Sequence, residues 1–331
     1  MLCASALAGG AAVAAASGPG DVAAAVAGEV VQTAAREEPE DDGAQRLVFD
    51  PMVVVEGGAD SFGHAFADGM PITGATPHRL VLFTFDDGPD HVQTPRLLDM
   101  LDEAGVRAVF FLTASRMRGD NRRERQHQAI ARDIVQRGHM VGNHTLDHAM
   151  MPALTPAEMR RQLAEAERIF EDVLGDRPFL FRPPGGQRSE RVDAIAAQRG
   201  YTTMLWNLGT GDVLVGRPVE VLGTFTRVFE RRRSDHGDRG GIVLLHDIHE
   251  HSVDAFPRIV AFLRERNCEL LDEGEELFDI VDDPRLFFVP RADAPPSMDA
   301  PPALPDPAIL AARQQRLRKE THERCTALAQ R

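Results

Sequence analysis

Four apolar runs along the chain end abruptly in acids, histidines or an arginine. Leu80 to Phe85 runs into Asp86-Asp87-Gly88-Pro89, and Met140 to Asn143 into His144-Thr145-Leu146-Asp147-His148. Phe179 to Phe181 runs into Arg182-Pro183-Pro184-Gly185-Gly186, and Ile242 to Leu245 into His246-Asp247. Short continuous apolar runs of this kind read as strands buried on both faces, the pattern of a parallel sheet. Between them the spacing becomes helical. Thr94-Pro95 opens a helix with Leu97, Leu98 and Leu101 on one face and Gly105 as its stop, and Val106 to Leu112 follows as a strand. A helix from about Gln126 to Arg137 ends at Gly138, and Thr155-Pro156-Ala157-Glu158 starts another with proline in its first turn and a capping acid. Further units fall at Ser189 to Gln198, Thr202 to Trp206, Pro218 to Arg231, Ile242 to Leu245 and Val253 to Arg266. Repeated βα units imply parallel strands with right-handed crossovers, so the expected fold is α/β, a distorted (β/α) barrel with about seven parallel strands. The carboxyl ends of such strands open on one face, where positions 86, 144, 182 and 246 can converge.

Outside this region the pattern fades. Residues 1–45 are expected to be a signal-like or disordered segment, 46–285 the globular domain, and 286–331 a Pro-rich linker with a basic, helix-forming tail. Met1 to Gly20 carries no charge and has small-x-small sites such as Ala12-Val13-Ala14, resembling the later part of a secretory signal, but no Lys or Arg precedes it. A start codon assigned too far downstream and an unstructured Ala/Gly-rich extension both remain open as accounts. The stretch is too short and too weakly apolar for a membrane span. Arg36 to Gly43 reads as a solvated acidic linker, Pro290 to Pro307 as a second linker, and Ala308 to Arg331 as a solvated helix in preference to a docking element.

With 331 residues, 43% of them hydrophobic, one large core fits better than two domains. The formal charge of -14 argues against nucleic acid, whose phosphates need clustered Lys and Arg. The three cysteines, Cys3, Cys268 and Cys325, present no disulfide framework and no thiolate metal site, which leaves the redox compartment open.

Asp86-Asp87-Gly88-Pro89 alone would be a turn. At the end of an apolar strand, however, an acidic pair costs free energy unless a cation compensates it. His144 and His148, four residues apart, can put two imidazoles on one side of a helix or tight turn. With a carboxylate they form a donor set for a catalytic metal with open positions.

These segments, together with Trp206-Asn207-Leu208-Gly209-Thr210-Gly211-Asp212, resemble the five ordered motifs of the polysaccharide deacetylases, the NodB-homology group of carbohydrate esterases. The resemblance covers about residues 78 to 282. It implies one divalent metal, zinc first with cobalt, nickel or manganese as alternatives, held by Asp87, His144 and His148. It also implies Asp86 as general base oriented by Arg182, His246 as general acid paired with Asp212, and the Gly185 backbone N–H as oxyanion donor. Leu244, Val213 and Pro183 would meet the substrate. Three positions depart from the family pattern: Gly185 stands where an aromatic is usual, and Gly209 and Val213 stand where an acid and a Trp are usual. A more open acetyl pocket is expected. His249 and His251 read as loop residues at the mouth, and the charged stretch Arg116 to Gln128 as a long loop shaping access.

The implied activity is removal of N-acetyl groups from a polysaccharide or oligosaccharide, peptidoglycan or a chitin-like glycan, by a protein exported from the cytoplasm. An O-acetyl esterase shares the machinery. A catalytically silent glycan-binding module is the contrasting reading, against which Asp86 and His246 argue, since binding needs neither a base nor an acid. Hydrolysis of a small cyclic amide or formamide on a related barrel is a third. Oligomeric state is not legible.

Overall fold

The structure, a computed structural model, describes residues 70–287 and 306–329. The expectations for the N-terminal segment and for most of the Pro-rich linker lie outside these residues. The described elements are strands β1 (Leu80–Asp86), β2 (Val109–Leu112), β3 (Met140–Asn143), β4 (Leu180–Phe181), β5 (Thr202–Thr203), β6 (Leu208–Gly209), β7 (Gly241–His246) and β8 (Asp279–Ile280). Helices α1 (Gln93–Ala104), α2 (Arg122–Gln136), α3 (Pro156–Leu174), α4 (Glu190–Gln198), α5 (Pro218–His236), α6 (Glu250–Asp272) and α7 (Pro307–Ala329) alternate with them. Every strand pairing is parallel, in the order β5-β4-β3-β2-β1-β7-β6, while β8 meets only Leu80 and Val81 at the start of β1. The curved sheet is an α/β half-barrel. Its two end strands do not pair with each other among the described residues. Asn207 lies beyond β5, where its side chain accepts from Ile242 N at 2.9 Å and its amide donates toward Gly240 O at 3.3 Å.

The two-residue period of the strands sorts the core into two layers. Val81, Phe83, Phe85, Phe110, Leu112, Val243 and Leu245 pack beneath the helices, whereas Leu80, Leu82, Val109, Phe111, Leu180 and Ile242 fill the barrel interior. Along β1 the inward series runs Leu80, Leu82, Thr84, Asp86, and along β7 it runs Ile242, Leu244, His246. The interior is therefore apolar at its base and ionisable at its carboxyl end. Phe111 needs close approach from β3, because a Cβ at Gly142 would lie 2.4 Å from its ring.

Several boundaries differ from expectation. The α2 helix begins at Arg122, capped by Asn121, whose side chain accepts from Glu124 N while Glu124 reaches back. Arg116 to Gln128 is thus a short 3-10 turn followed by helix and not a long access loop. The high density of charge hid the capping box. The expected cap and Pro start of α3 at Thr155 are present, as is Ser189 at α4.

The solvated-helix reading of the C-terminal segment is corrected. Helix α7 packs on the body: Leu310 is buried, Arg313 makes a bidentate pair with Asp279 at 2.6 and 3.1 Å, and Gln314 exchanges bonds with the Leu277 backbone. Cys268 on α6 and Cys325 on α7 form a disulfide across 57 residues. The expectation of no disulfide fails because partners that far apart on separate helices leave no local spacing to read.

Candidate active site

The β1 run ends in Asp86 and Asp87, which do different things. Asp86 is the last inward position of the strand; it is 2% exposed, and its Oδ1 accepts from Arg182 Nη1 at 2.7 Å. Asp87 follows with φ 76°, a left-handed backbone that turns its carboxylate across the strand ends. There Asp87 Oδ1 lies 3.4 Å from His144 Nε2 and 3.2 Å from His148 Nε2.

The two imidazoles converge through a turn, not a helix, because Thr145 and His148 also take left-handed φ values of 70° and 63°. Asn143 supports that turn, its Oδ1 accepting from Thr145 N at 2.8 Å, and Gln162 of α3 supports it further by accepting from Leu146 N and donating to Asp147. His144 Nδ1 is 2.7 Å from the Arg182 carbonyl oxygen. A carbonyl can only accept, so Nδ1 carries the proton and Nε2 presents its lone pair toward Asp87. Asp87, His144 and His148 place one donor atom each within 4.8 Å of one another, and among the described residues no other such group occurs.

The donor set fits a divalent cation. Asp87 Oδ1 is buried and accepts no hydrogen bond, an orphaned acceptor that a cation would satisfy. Burial would raise the Asp87 pKa, but the adjoining His144 ring and the charges of His246 and His148 outweigh it and hold the carboxyl at about 2. Burial also lowers the His148 pKa, the direction that favours the neutral ligand form. Two nitrogens and one oxygen leave coordination positions open, as catalytic sites require.

Arg182 is wholly buried between the Phe111 ring, 4.0 Å away, and the Trp206 ring, 5.4 Å away. Its remaining donors reach Thr84 Oγ1 at 2.8 Å, Met204 O at 3.0 Å and Leu205 O at 3.0 Å. Burial lowers the Arg182 pKa, but the Asp86 charge and hydrogen bond oppose it. A guanidinium stays charged even so and keeps a counter-charge against Asp86.

On the opposite side, His246 Nδ1 sits 3.1 Å from both Asp212 oxygens. Asp212 is fixed in turn by Ser252 Oγ at 2.6 Å and His246 N at 2.8 Å. Burial works against a charged ring, yet the Asp212 hydrogen bond and charge prevail, with Asp86 and Asp87 adding to them, and raise His246 to about 9. Burial would raise Asp212 too, but its bonds to His246 and Ser252 lower it.

The other expected residues fall as follows. Leu244 shares the inward face of β7 with His246 and is partly buried. Val213, next to Asp212, is 56% exposed at the rim, whereas Pro183 is buried beside Arg182. Gly185 has φ 61° in the turn after β4; the N–H groups of Gly186 and Gln187 bond back within that turn, and its own finds no acceptor among the described residues. Met150 Sδ would lie 3.7 Å from a Cβ at Gly185, so a methionine borders the space left by the usual aromatic. His249 precedes α6 and His251 belongs to its first turn, stacked ring on ring at 5.4 Å, and His251 Nε2 bonds Asp212 O at 2.7 Å. His251 is thus a support of the Asp212 loop rather than a free loop residue. Thr84, Ser252 and Asn143 were missed as supports; only folding brings them to the site. Asp247 was passed over within its motif. It is buried with Thr94 Oγ1 2.5 Å away, and burial raises it to about 7.

Residues 73–204 match the sequence profile of the polysaccharide deacetylase family. A peptidoglycan-N-acetylglucosamine deacetylase of Bacillus cereus is 28% identical over 202 residues, 60% of this chain and 88% of that protein. The structure of the chitin deacetylase from Colletotrichum lindemuthianum matches with a TM-score of 0.53 at 28% identity, over 60% of this chain and 86% of that one. A CE4 family pseudoenzyme from Bacillus anthracis matches with a TM-score of 0.51 at 27% identity, over 60% of this chain and 65% of that one. Because the same fold serves proteins described as enzymes and as a pseudoenzyme, activity has to be argued from side chains. Over residues 73–204 the chain carries the sequence profile of the polysaccharide deacetylase family, with the fold and motif order to match.

Proposed function

We propose that the protein is a metal-dependent hydrolase that removes N-acetyl groups from a polysaccharide or oligosaccharide, with peptidoglycan or a chitin-like glycan as substrate. The observation that carries this is a three-donor cluster at Asp87, His144 and His148 flanked by two separately paired groups, Asp86 held by Arg182 and His246 held by Asp212. A divalent cation at the cluster, zinc by the nitrogen-rich donor set, would supply Lewis acidity toward the acyl oxygen and toward water.

The protein's own groups supply the rest. Asp86, oriented by Arg182 through Oδ1, takes the proton of the attacking water at Oδ2. The Gly185 N–H, which finds no acceptor among the described residues, donates to the oxyanion. His246, with Nδ1 held by Asp212, donates from Nε2 to the departing nitrogen, a step an amide needs because an unprotonated amine leaves poorly. Leu244 provides apolar contact for the acetyl methyl, and Pro183 and Val213 border the approach. Peptidoglycan and chitin are the polymers named for the relatives, and both lie outside the cytoplasm. The Cys268–Cys325 disulfide favours an oxidising compartment and so favours export. The catalytic domain on this reading spans residues 46–285, with α7 fastened to it.

The test is acetate release from a panel of N- and O-acetylated glycans with and without chelator. Activity should vanish with chelation and return with zinc or cobalt, and His144→Ala should lose stoichiometric metal by elemental analysis. Full metal content in that variant, or chelator-resistant activity, sinks the reading.

A further inference from the structure

Trp206 is the chain's single tryptophan, and the established pairs of the site do not use it. It lies just past β5, where Arg182 Nη2 takes the preceding carbonyl, Leu205 O, at 3.0 Å. The same guanidinium faces the indole 5.4 Å from the ring centre and holds Asp86 at 2.7 Å. One positive group thus links the indole to the carboxylate.

Two glycines frame the ring. At Gly186, φ 66°, a Cβ would strike Trp206 Cη2 at 2.8 Å, so the indole lies flush against the turn that carries the Gly185 N–H. At Gly209 a Cβ would stand 3.5 Å from Nε1, so the absence of a longer side chain leaves that edge clear. The Nε1–H donates to no acceptor among the described residues, and the residue is only partly buried. A tryptophan enclosed by protein on one side normally satisfies its N–H; one that packs by its ring and leaves the donor open is suited to an amphipathic ligand. Sugars have this character, with apolar ring faces and oxygens around the edge.

We propose that Trp206 contacts the substrate, its indole N–H donating to an oxygen of the sugar that carries the acyl group. This rests on the deacetylase reading above. Gly209 is the device that keeps the donor open, and Gly186 the device that lets the ring reach the oxyanion turn.

Because no other tryptophan contributes, emission reports this side chain alone. An N-acetylated chito-oligosaccharide tetramer titrated into zinc-loaded Asp86→Asn protein should change the emission saturably and reduce quenching by acrylamide, at the midpoint given by calorimetry. In the otherwise unaltered enzyme, Trp206→Phe, which keeps a ring and removes the donor, should raise KM about five- to tenfold and leave kcat within about twofold, the loss of one hydrogen bond. Saturable binding heat with silent emission overturns the proposal and leaves the deacetylase reading standing. So does Trp206→Phe with a lower melting temperature but unchanged KM, which marks the ring as packing only. Absence of both binding and turnover on every acetylated glycan overturns the reading and the proposal together.

Discussion

Replacing Asp212 by Asn should remove most of the pH dependence of stability between pH 7 and 10 in metal-free protein. In the folded state His246 titrates at about 9, against an ordinary value of 6.5, because Asp212 receives its Nδ1–H. The folded pKa lies above the unfolded one, so the folded state holds the proton longer. The stabilisation is complete below about 6.5 and is lost as the pH rises through 9. Between pH 7 and 10 this amounts to about 2–3 kcal/mol at 1.36 kcal/mol per pKa unit. Urea unfolding with EDTA present, at both pH values, measures it; the chelator matters because a bound cation would oppose the imidazolium. Asp247, raised to about 7, titrates at the edge of the window in both proteins and cancels in the comparison. The wild type should lose about 2–3 kcal/mol over the window and Asp212→Asn less than about 1 kcal/mol. Asn also disturbs the Ser252 and His246 N bonds, but that lowers stability at both pH values and leaves the slope alone. Equal slopes in the two proteins would refute the pairing as the source of the shift and, with it, the argument that His246 is kept protonated for a leaving amine.

Three further outcomes follow from the same geometry. Arg182→Met should cost about 3–5 kcal/mol in denaturant unfolding, since it strands the buried Asp86 charge and the carbonyls of Met204 and Leu205; a loss under about 1 kcal/mol would contradict that. Asp86→Asn should retain metal by elemental analysis while kcat falls at least about a hundredfold, and a rate near wild type would place the base elsewhere. Cys268→Ser should lower unfolding free energy by about 2–4 kcal/mol and expose α7 to protease, and an unchanged melting temperature with an uncut helix would show that packing alone holds it.

The clustering of Asp87, His144 and His148 and both carboxylate-paired groups were legible because each sits where an apolar strand stops, and strand ends in a parallel barrel share one face. The same logic could not find Thr84 or Ser252. Thr84 reads as one more strand residue, and Ser252 meets Asp212 only because α6 folds back beside the β6 loop, 40 positions on. The two residues of β6 were too few to show a period. Docking of α7 was illegible for a different reason: its apolar residues do not line up on one face, and its anchors, Asp279, Leu277 and Cys268, are met only in three dimensions. At Asn121 the signal was present, a cap with Glu three residues later, and the surrounding arginines outweighed it in the reading.

Asp87, Thr145 and His148 all hold left-handed backbone without being glycine, and two of them carry cluster atoms. Each such residue costs about 1–2 kcal/mol against an ordinary conformation. The loops thus hold their shape at a conformational cost, which a cation bound by the cluster would offset with added resistance to unfolding. For a cell, a cation taken by this cluster would couple metal supply to the lifetime of the chain: copies without it would open more often at the mouth of the barrel and reach proteases first, so quality control would sort the two without sensing the ion itself.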